Sequence, residues 1–303
     1  VTDREVITAA VATGLVAEQF PAWAHLAVTP VALDGWDNTT FRLGDRLSIR
    51  LPSHDRYVPQ IEKEHRWLPY LAPRLPVPIP EPRALGRPTG AFPRPWSIYG
   101  WIDGDAGVAD PRVDLRAFAT DLAAFLVALR AVDARDGPPP GEHSAFRGGP
   151  LRHYDRQTRS SIAVLGDAID GAAATEVWDA ALASSWDRPP VWVHGDVAAS
   201  NLLVRDGRLA AVIDFGCAAV GDPACDLVIA WTLFSGESRD GFVRSVGLDA
   251  STWARARGWA LWKALITLAH HRQGGPDPDV AARRNGWRCS TADVVAAVLA
   301  EAA

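Results

Sequence analysis

Three oxygen-bearing side chains, Asp196, Asn201 and Asp214, fall in one stretch, VWVHGDVAASNLLVRDGRLAAVIDFG (residues 191–216), between short apolar runs. Isolated buried carboxylates are costly unless a partner offsets their desolvation. Such a stretch is either polar decoration on a loop or the makings of a site for something strongly positive. The second reading has a definite chemistry. Magnesium takes oxygen ligands and commonly only one or two from the protein. Phosphoryl transfer needs that cation, a positioned carboxylate for the acceptor hydroxyl, and a protein cation with backbone donors for the phosphates. Asp196 follows the apolar run Val191-Trp192-Val193, Asn201 comes five residues later, and Asp214 ends the run Ala210-Ala211-Val212-Ile213.

These residues need a scaffold that brings them together. The turn Asp206-Gly207 is the strongest hairpin signal in the chain. It folds the runs on either side into a ribbon and so sets Asn201 and Asp214 at neighbouring positions, close enough to share a metal ion. The stretch reads as three short strands. Upstream, residues 3–18 read as an amphipathic helix, and FRLGDRLSIRLP (41–52) alternates around Gly44-Asp45 as a hairpin. A helix is expected over 57–71, with Pro69 in its last turn or at a kink. The Pro-rich run 73–88 reads as an extended connector, and 94–104 as a buried strand ending at a turn. Leu115, Phe118, Leu122, Phe125, Leu126 and Leu129 form one stripe of a helix over 114–132. A loop is expected over 136–150, with helices over 151–166, 174–186, 225–235, 251–272 and 291–302. No internal repeat is present. Strands with one helix, followed by a larger helical part, give the α+β class.

The bulk composition narrows the function by exclusion. A chain of 303 residues, 48% hydrophobic and 22% charged, is ordinary for a globular protein. Its net charge of −5 offers no nucleic-acid footprint. Cys217, Cys225 and Cys289 lack both a disulfide framework and paired zinc spacing, so reduced thiols in a cytoplasmic protein are expected. The opening VTDREVITAAVATGL lacks a signal-peptide pattern, and no run reaches a membrane span, so no membrane partner is expected.

H-G-D-x4-N followed by I-D-F-G resembles the phosphotransfer core of the aminoglycoside phosphotransferase family, relatives of the eukaryotic protein kinases. The resemblance covers roughly residues 30–235. It implies a two-lobed protein-kinase-like fold with a small β-rich lobe (1–98), a hinge (99–104) and a larger helical lobe (105–303). By this resemblance Asp196 is the catalytic aspartate, and Asn201 and Asp214 are the Mg²⁺ ligands. His194 is a structural support, and Asp226, in GDPACDL (221–227), braces the catalytic loop. In the small lobe, Asn38 and Thr39 lie near the phosphates, and Arg50 stands where the strand cation is usually Lys, with Glu64 as its helix partner. Gly100 and Ile102 offer backbone groups to the base, and Tyr99 lines its back wall. A bulky residue there accompanies guanosine nucleotides in some relatives, so the co-substrate is ATP or GTP. Ala198 and Ala199 depart from relatives that carry a polar or acidic residue in this loop, and no glycine-rich G-x-G-x-x-G is present.

The implied activity is transfer of the γ-phosphoryl group to a hydroxyl of a small molecule, an aminoglycoside or other antibiotic first, then a macrolide, homoserine or choline-type acceptor. The alternative is a catalytically silent nucleotide-binding homologue. Plainer roles compete at single positions. Arg50 and Glu64 suit a surface ion pair, and Tyr99 and Trp101 suit a core. Trp231, Trp259 and Trp262 are core residues or the lining of an acceptor pocket. Glu237 and Asp240 are a solvated helix end or a hold for cationic amines.

Overall fold

The computed structural model describes residues 6–31, 35–105 and 113–301. The chain divides into two compact units, Val1–Asp103 and Gly104–Ala303.

The first unit is an antiparallel sheet with a helix on each face. Helix α1 (Ala9–Gln19) is capped by Thr8, whose Oγ1 accepts from the Val11 N–H at 3.3 Å. Among the described residues the helix expected over 3–18 starts at Ala9, after its cap; residues 3–5 of that expectation lie outside the described residues. Five strands follow: β1 (Val28–Pro30), β2 (Asn38–Leu43), β3 (Leu47–Pro52), β4 (Pro82–Gly86) and β5 (Trp96–Gly100), in the order β1-β2-β3-β5-β4. Helix α2 (Val58–Leu71) lies between β3 and β4 in sequence, with Pro69 in its last turn. The hairpin read from the alternation is present, with Leu43 paired to Leu47. The Pro-rich run is not merely a connector. It contains β4 at the sheet edge, where a proline at the first strand position needs no inward ladder bond.

Strand alternation sorts the two faces. Phe41, Leu43, Ile49, Leu51, Trp96 and Ile98 share one core with Ala12, Leu15 and Val16 of α1. Burying each large side chain there stabilises the unit by about 1.5–3 kcal/mol. Arg50, Ser97 and Tyr99 fall one residue out of that phase, so they meet α2 on the opposite face.

The second unit is mainly helical. Helix α3 (Leu115–Ala131) is capped by Asp114 and buries Phe118, Leu122, Phe125, Leu126 and Leu129, the stripe read from the sequence. Helix α4 (Asp155–Leu165) follows a 3₁₀ turn over Leu151–Tyr154, and α5 (Gly171–Leu182) starts at the Asp170 cap, three residues before the expected start. Strand β6 (Val191–Val193) pairs with β9 (Ala219–Gly221), while β7 (Leu202–Arg205) and β8 (Arg208–Val212) form the anticipated ribbon. Its turn carries Asp206 at φ 53° and Gly207 at φ 75°, a pair of positive dihedrals that glycine adopts without strain.

The expected helix over 225–235 is a 3₁₀ turn, Pro223–Leu227, and the short α6 (Ile229–Thr232). Two helices went unanticipated, α7 (Gly236–Val246) and α9 (Pro278–Arg284). In α7 only Ser238, Phe242 and Val246 are buried, too sparse an apolar stripe to read. Helix α8 (Ala250–Arg272) packs against α4, α5 and α10 (Thr291–Ala300). No helix among the described residues is long and apolar enough to cross a membrane. No disulfide joins Cys217, Cys225 and Cys289.

Candidate active site

In the second unit the loop after β6 is held from below by Asp226. This 3%-exposed carboxylate accepts the His194 N–H at 2.9 Å and the Gly195 N–H at 2.7 Å, one on each oxygen. Burial raises its pKa above the ordinary carboxylate value, against those two bonds and the charge of Arg130. His194 is fully buried, and both ring nitrogens are used. Nε2 meets the Ile213 carbonyl at 3.0 Å, and Nδ1 accepts the Asp196 N–H at 3.2 Å. The imidazole therefore carries its proton on Nε2 and joins the loop that carries Asp196 to the residue before Asp214.

Asp196, by contrast, reaches solvent, with its side chain 34% exposed. Asn201 Nδ2 donates to the Asp196 carbonyl at 3.0 Å and to its Oδ2 at 3.3 Å, leaving the Asn201 amide oxygen for another partner. The Asn201 carbonyl accepts the Ile213 N–H at 2.9 Å, which ties Asn201 to the strand end that presents Asp214. The structure thus gathers Asp196, Asn201 and Asp214 at one end of the ribbon. Asp214 sits at φ 66°, ψ 67°, in the left-handed region, at a cost of about 1–2 kcal/mol. Such strain persists where the surroundings over-determine it, commonly at functional sites. Two hard oxygen donors, one anionic and one neutral, are a donor set that fits Mg²⁺.

Two side chains beside Asp196 were missed from sequence. Lys263 of α8 places Nζ 3.3 Å from Asp196 Oδ1, and Arg147 lines the same pocket. Burial alone would push the Asp196 carboxyl up; Lys263 and Arg147 outweigh it and hold the carboxyl below its ordinary range. Lys263 carried a faint signal, because it and Lys63 are the only lysines in a chain that otherwise uses arginine. Arg147 carried none. Its loop turns through Ala145 at φ 44° and Phe146 at φ 53°, with no glycine at either position to advertise the bend.

Trp259 and Trp262 line this pocket beside Asp196. Trp231 instead packs on Trp253 and donates to Glu301. Glu237 is exposed and pairs with Arg116 at 2.9 Å, and Asp240 is exposed as well. Ala198 and Ala199 are buried, and a Cβ on Gly286 would lie only 2.7 Å from that of Ala199, so the Gly286 backbone packs closely on Ala199. Asp222, unremarked in the sequence, forms a buried pair with Arg255 of α8 at 2.6 Å.

In the first unit Arg50 Nη1 lies 3.4 Å from both oxygens of Glu64, whose side chain is 5% exposed. Glu64 is buried and Arg50 half-buried, so this is not an exposed surface pair. The Tyr99 hydroxyl donates to Glu64 Oε2, and its ring lies 5.5 Å from the Arg50 guanidinium. Burial, then the Glu64 charge, push the phenol well above its ordinary pKa. Asn38 and Thr39 open β2; Asn38 is buried, and Thr39 Oγ1 is buried without a hydrogen-bond partner. The Gly100 N–H is taken by the Glu81 carbonyl at 2.9 Å, and Ile102, two residues past β5, is half-buried.

The model of the phosphotransferase enzyme family, designated APH, matches residues 28–259, from β1 into α8. The chain belongs to the phosphotransferase enzyme family. It is a small-molecule phosphotransferase with a protein-kinase-like α+β fold. Among solved structures, the GDP and kanamycin complex of APH(2")-IIIa is 18% identical with a TM-score of 0.70, covering 91% of this chain and 98% of that one. The streptomycin–ATP complex of APH(2")-IIa is 17% identical with a TM-score of 0.61, covering 95% and 99%. The macrolide 2'-phosphotransferase MphH from Brachybacterium faecium is 24% identical with a TM-score of 0.59, covering 90% and 97%. At these identities the likeness to this phosphotransferase is one of fold. No curated protein matches the chain.

Proposed function

We propose that this phosphotransferase moves the γ-phosphoryl group of ATP or GTP, with Mg²⁺, to a hydroxyl of a small molecule. The observation that carries the reading is the state of Asp196, a solvent-reaching carboxylate that Lys263 and Arg147 hold ionised and Asn201 orients, beside a histidine with no free nitrogen. In this reading Asp196 accepts a hydrogen bond from the acceptor hydroxyl and aligns it for in-line attack. His194 and Asp226 fix the loop. Asn201 and Asp214 hold Mg²⁺, which when bound offsets phosphate charge. Arg50, oriented by Glu64, steadies the α- and β-phosphates; Asn38 and Thr39 serve the phosphates; Tyr99, Gly100 and Ile102 serve the base, Gly100 not through its engaged N–H. Positioning and electrostatics carry such a reaction, so no covalent enzyme intermediate forms. The functional division is 1–98, 99–104 and 105–303, and the enzyme works in the cytoplasm.

Kanamycin, streptomycin and macrolides, named for the structural neighbours, are the acceptors to assay first. The test is label transfer from γ-labelled ATP and GTP with the Asp196→Ala variant alongside. Turnover should fall by at least about 10²-fold while nucleotide still binds. A variant within tenfold of the parent removes the assigned role.

A further inference from the structure

The lining around Asp196 has an unusual charge balance for an enzyme expected to hold polyamines. Lys263 is matched by Asp196 at 3.3 Å, which leaves the Arg147 guanidinium as surplus positive charge. Arg147 lies over Trp262 and Trp259, 4.6 and 5.1 Å from the ring centroids, and its Nη1 is buried with no hydrogen-bond partner. The aromatic faces compensate the charge in part, but a solvent-excluded guanidinium N–H without an acceptor is costly to keep. It is costly only until a ligand supplies that acceptor.

The same bias extends along α8. Lys263, Ile266 and His270 continue one stripe of that helix into a second cavity of about 600 Å³, walled across from α8 by α4. Tyr154 and Trp262, 4.1 Å apart, stand between the two cavities. The second cavity adds Arg156, His153 and His270 and no acid. Asp196 is the only carboxylate among the described residues lining either cavity. A polycationic acceptor in these two cavities would meet like charge and, among the described lining residues, find no carboxylate beyond Asp196.

Building on the phosphotransferase reading, we infer that the acceptor is a hydroxyl compound bearing an anionic group, a carboxylate or a phosphate, which Arg147 binds while Lys263 flanks the reacting hydroxyl. In the reaction the acceptor oxygen bonds to the γ-phosphorus as the bond to the β–γ bridging oxygen breaks. The nucleoside diphosphate leaves with that electron pair, and the hydroxyl proton passes to Asp196 and then to solvent. Arg147 is thus a specificity-determining residue. A guanidinium suits planar, two-point recognition of either anion.

The test uses the full chain, Mg²⁺ and γ-labelled ATP or GTP. Acceptors are a metabolite extract separated by ion exchange into anionic, neutral and cationic pools, with kanamycin as a defined polycation. The anionic pool should take label at least tenfold faster than the other pools or kanamycin. Phosphatase treatment of that pool beforehand separates the sources: loss of transfer assigns a phosphate ester, and persistence assigns a carboxylate. Arg147→Gln should raise KM for the labelled acceptor at least tenfold with kcat within a few-fold, and Arg147→Lys should recover part of it. Faster transfer to the cationic or neutral pool or to kanamycin overturns the inference, as does KM within twofold in Arg147→Gln. Transfer to no pool, with nucleotide hydrolysis that still depends on Asp196, also overturns it. Hydrolysis identical in the parent and Asp196→Ala, with no transfer, instead brings down the phosphotransferase reading and this inference with it.

Discussion

Replacing Asp226 by alanine removes the only acceptor shared by two buried backbone donors, the N–H groups of His194 and Gly195. Each buried donor left unsatisfied costs about 1–3 kcal/mol, so the direct loss is about 2–6 kcal/mol. Burial of the carboxylate itself, visible in its raised pKa, offsets part of this, because the variant no longer desolvates a charge. The net cost should be about 2–4 kcal/mol, a large share of a typical domain's stability. Asp226→Asn keeps one oxygen acceptor but turns an amide N–H toward the second donor, and should lose about half as much. Urea unfolding at pH 7 measures both values, and kcat should fall in the same order, because the loop that carries Asp196 loses its anchor. A loss below about 1 kcal/mol in Asp226→Ala, with kcat unchanged, would refute the reasoning that two unsatisfied donors govern this loop.

Other outcomes follow from the same structure. The Asp196 pKa is lowered from its ordinary 3.8, so the carboxylate is ionised throughout the neutral range, and the stability it contributes is present above 3.8 and lost as pH falls through its folded value. Lys263→Met removes an opposing charge and should move the acid limb of the kcat/KM profile to higher pH; an unmoved limb contradicts the pairing. Tyr99→Phe should cost about 1.5–3 kcal/mol in unfolding, the scale of a hydrogen bond to a charged group. Gly207→Ala, at φ 75°, should cost about 1–2 kcal/mol, read from the shift in urea midpoint, with a smaller effect on kcat than Asp226→Ala.

What could be read in advance was what the chain encodes locally. The β7–β8 ribbon was legible because Asp206-Gly207 specifies its own turn, and α3 because its stripe repeats at the helix period. Thr8 and Asp170 moved two helix starts, since a cap outweighs several residues of apolar pattern. Strand β4 hid among prolines, and α7 hid because it buries few residues. Within the site, Asp196, Asn201 and Asp214 were legible together because one ribbon holds them. Lys263 was not, because it reaches Asp196 from 67 positions away, and its approach depends on how α8 packs. Arg147 likewise depends on a loop that turns through the left-handed Ala145 and Phe146, residue types that do not advertise a bend. Tertiary packing, which no local pattern reports, places both cations.

The central claim is that Asn201 and Asp214 present oxygen atoms that hold a divalent cation with the nucleotide beside Asp196. Its most direct test is a Mn²⁺ titration by electron paramagnetic resonance, with ADP and with GDP, of the parent and Asp214→Ala. The variant should bind Mn²⁺–nucleotide at least tenfold more weakly while its unfolding midpoint stays close to the parent's. Equal Mn²⁺–nucleotide affinity in the two proteins would contradict it.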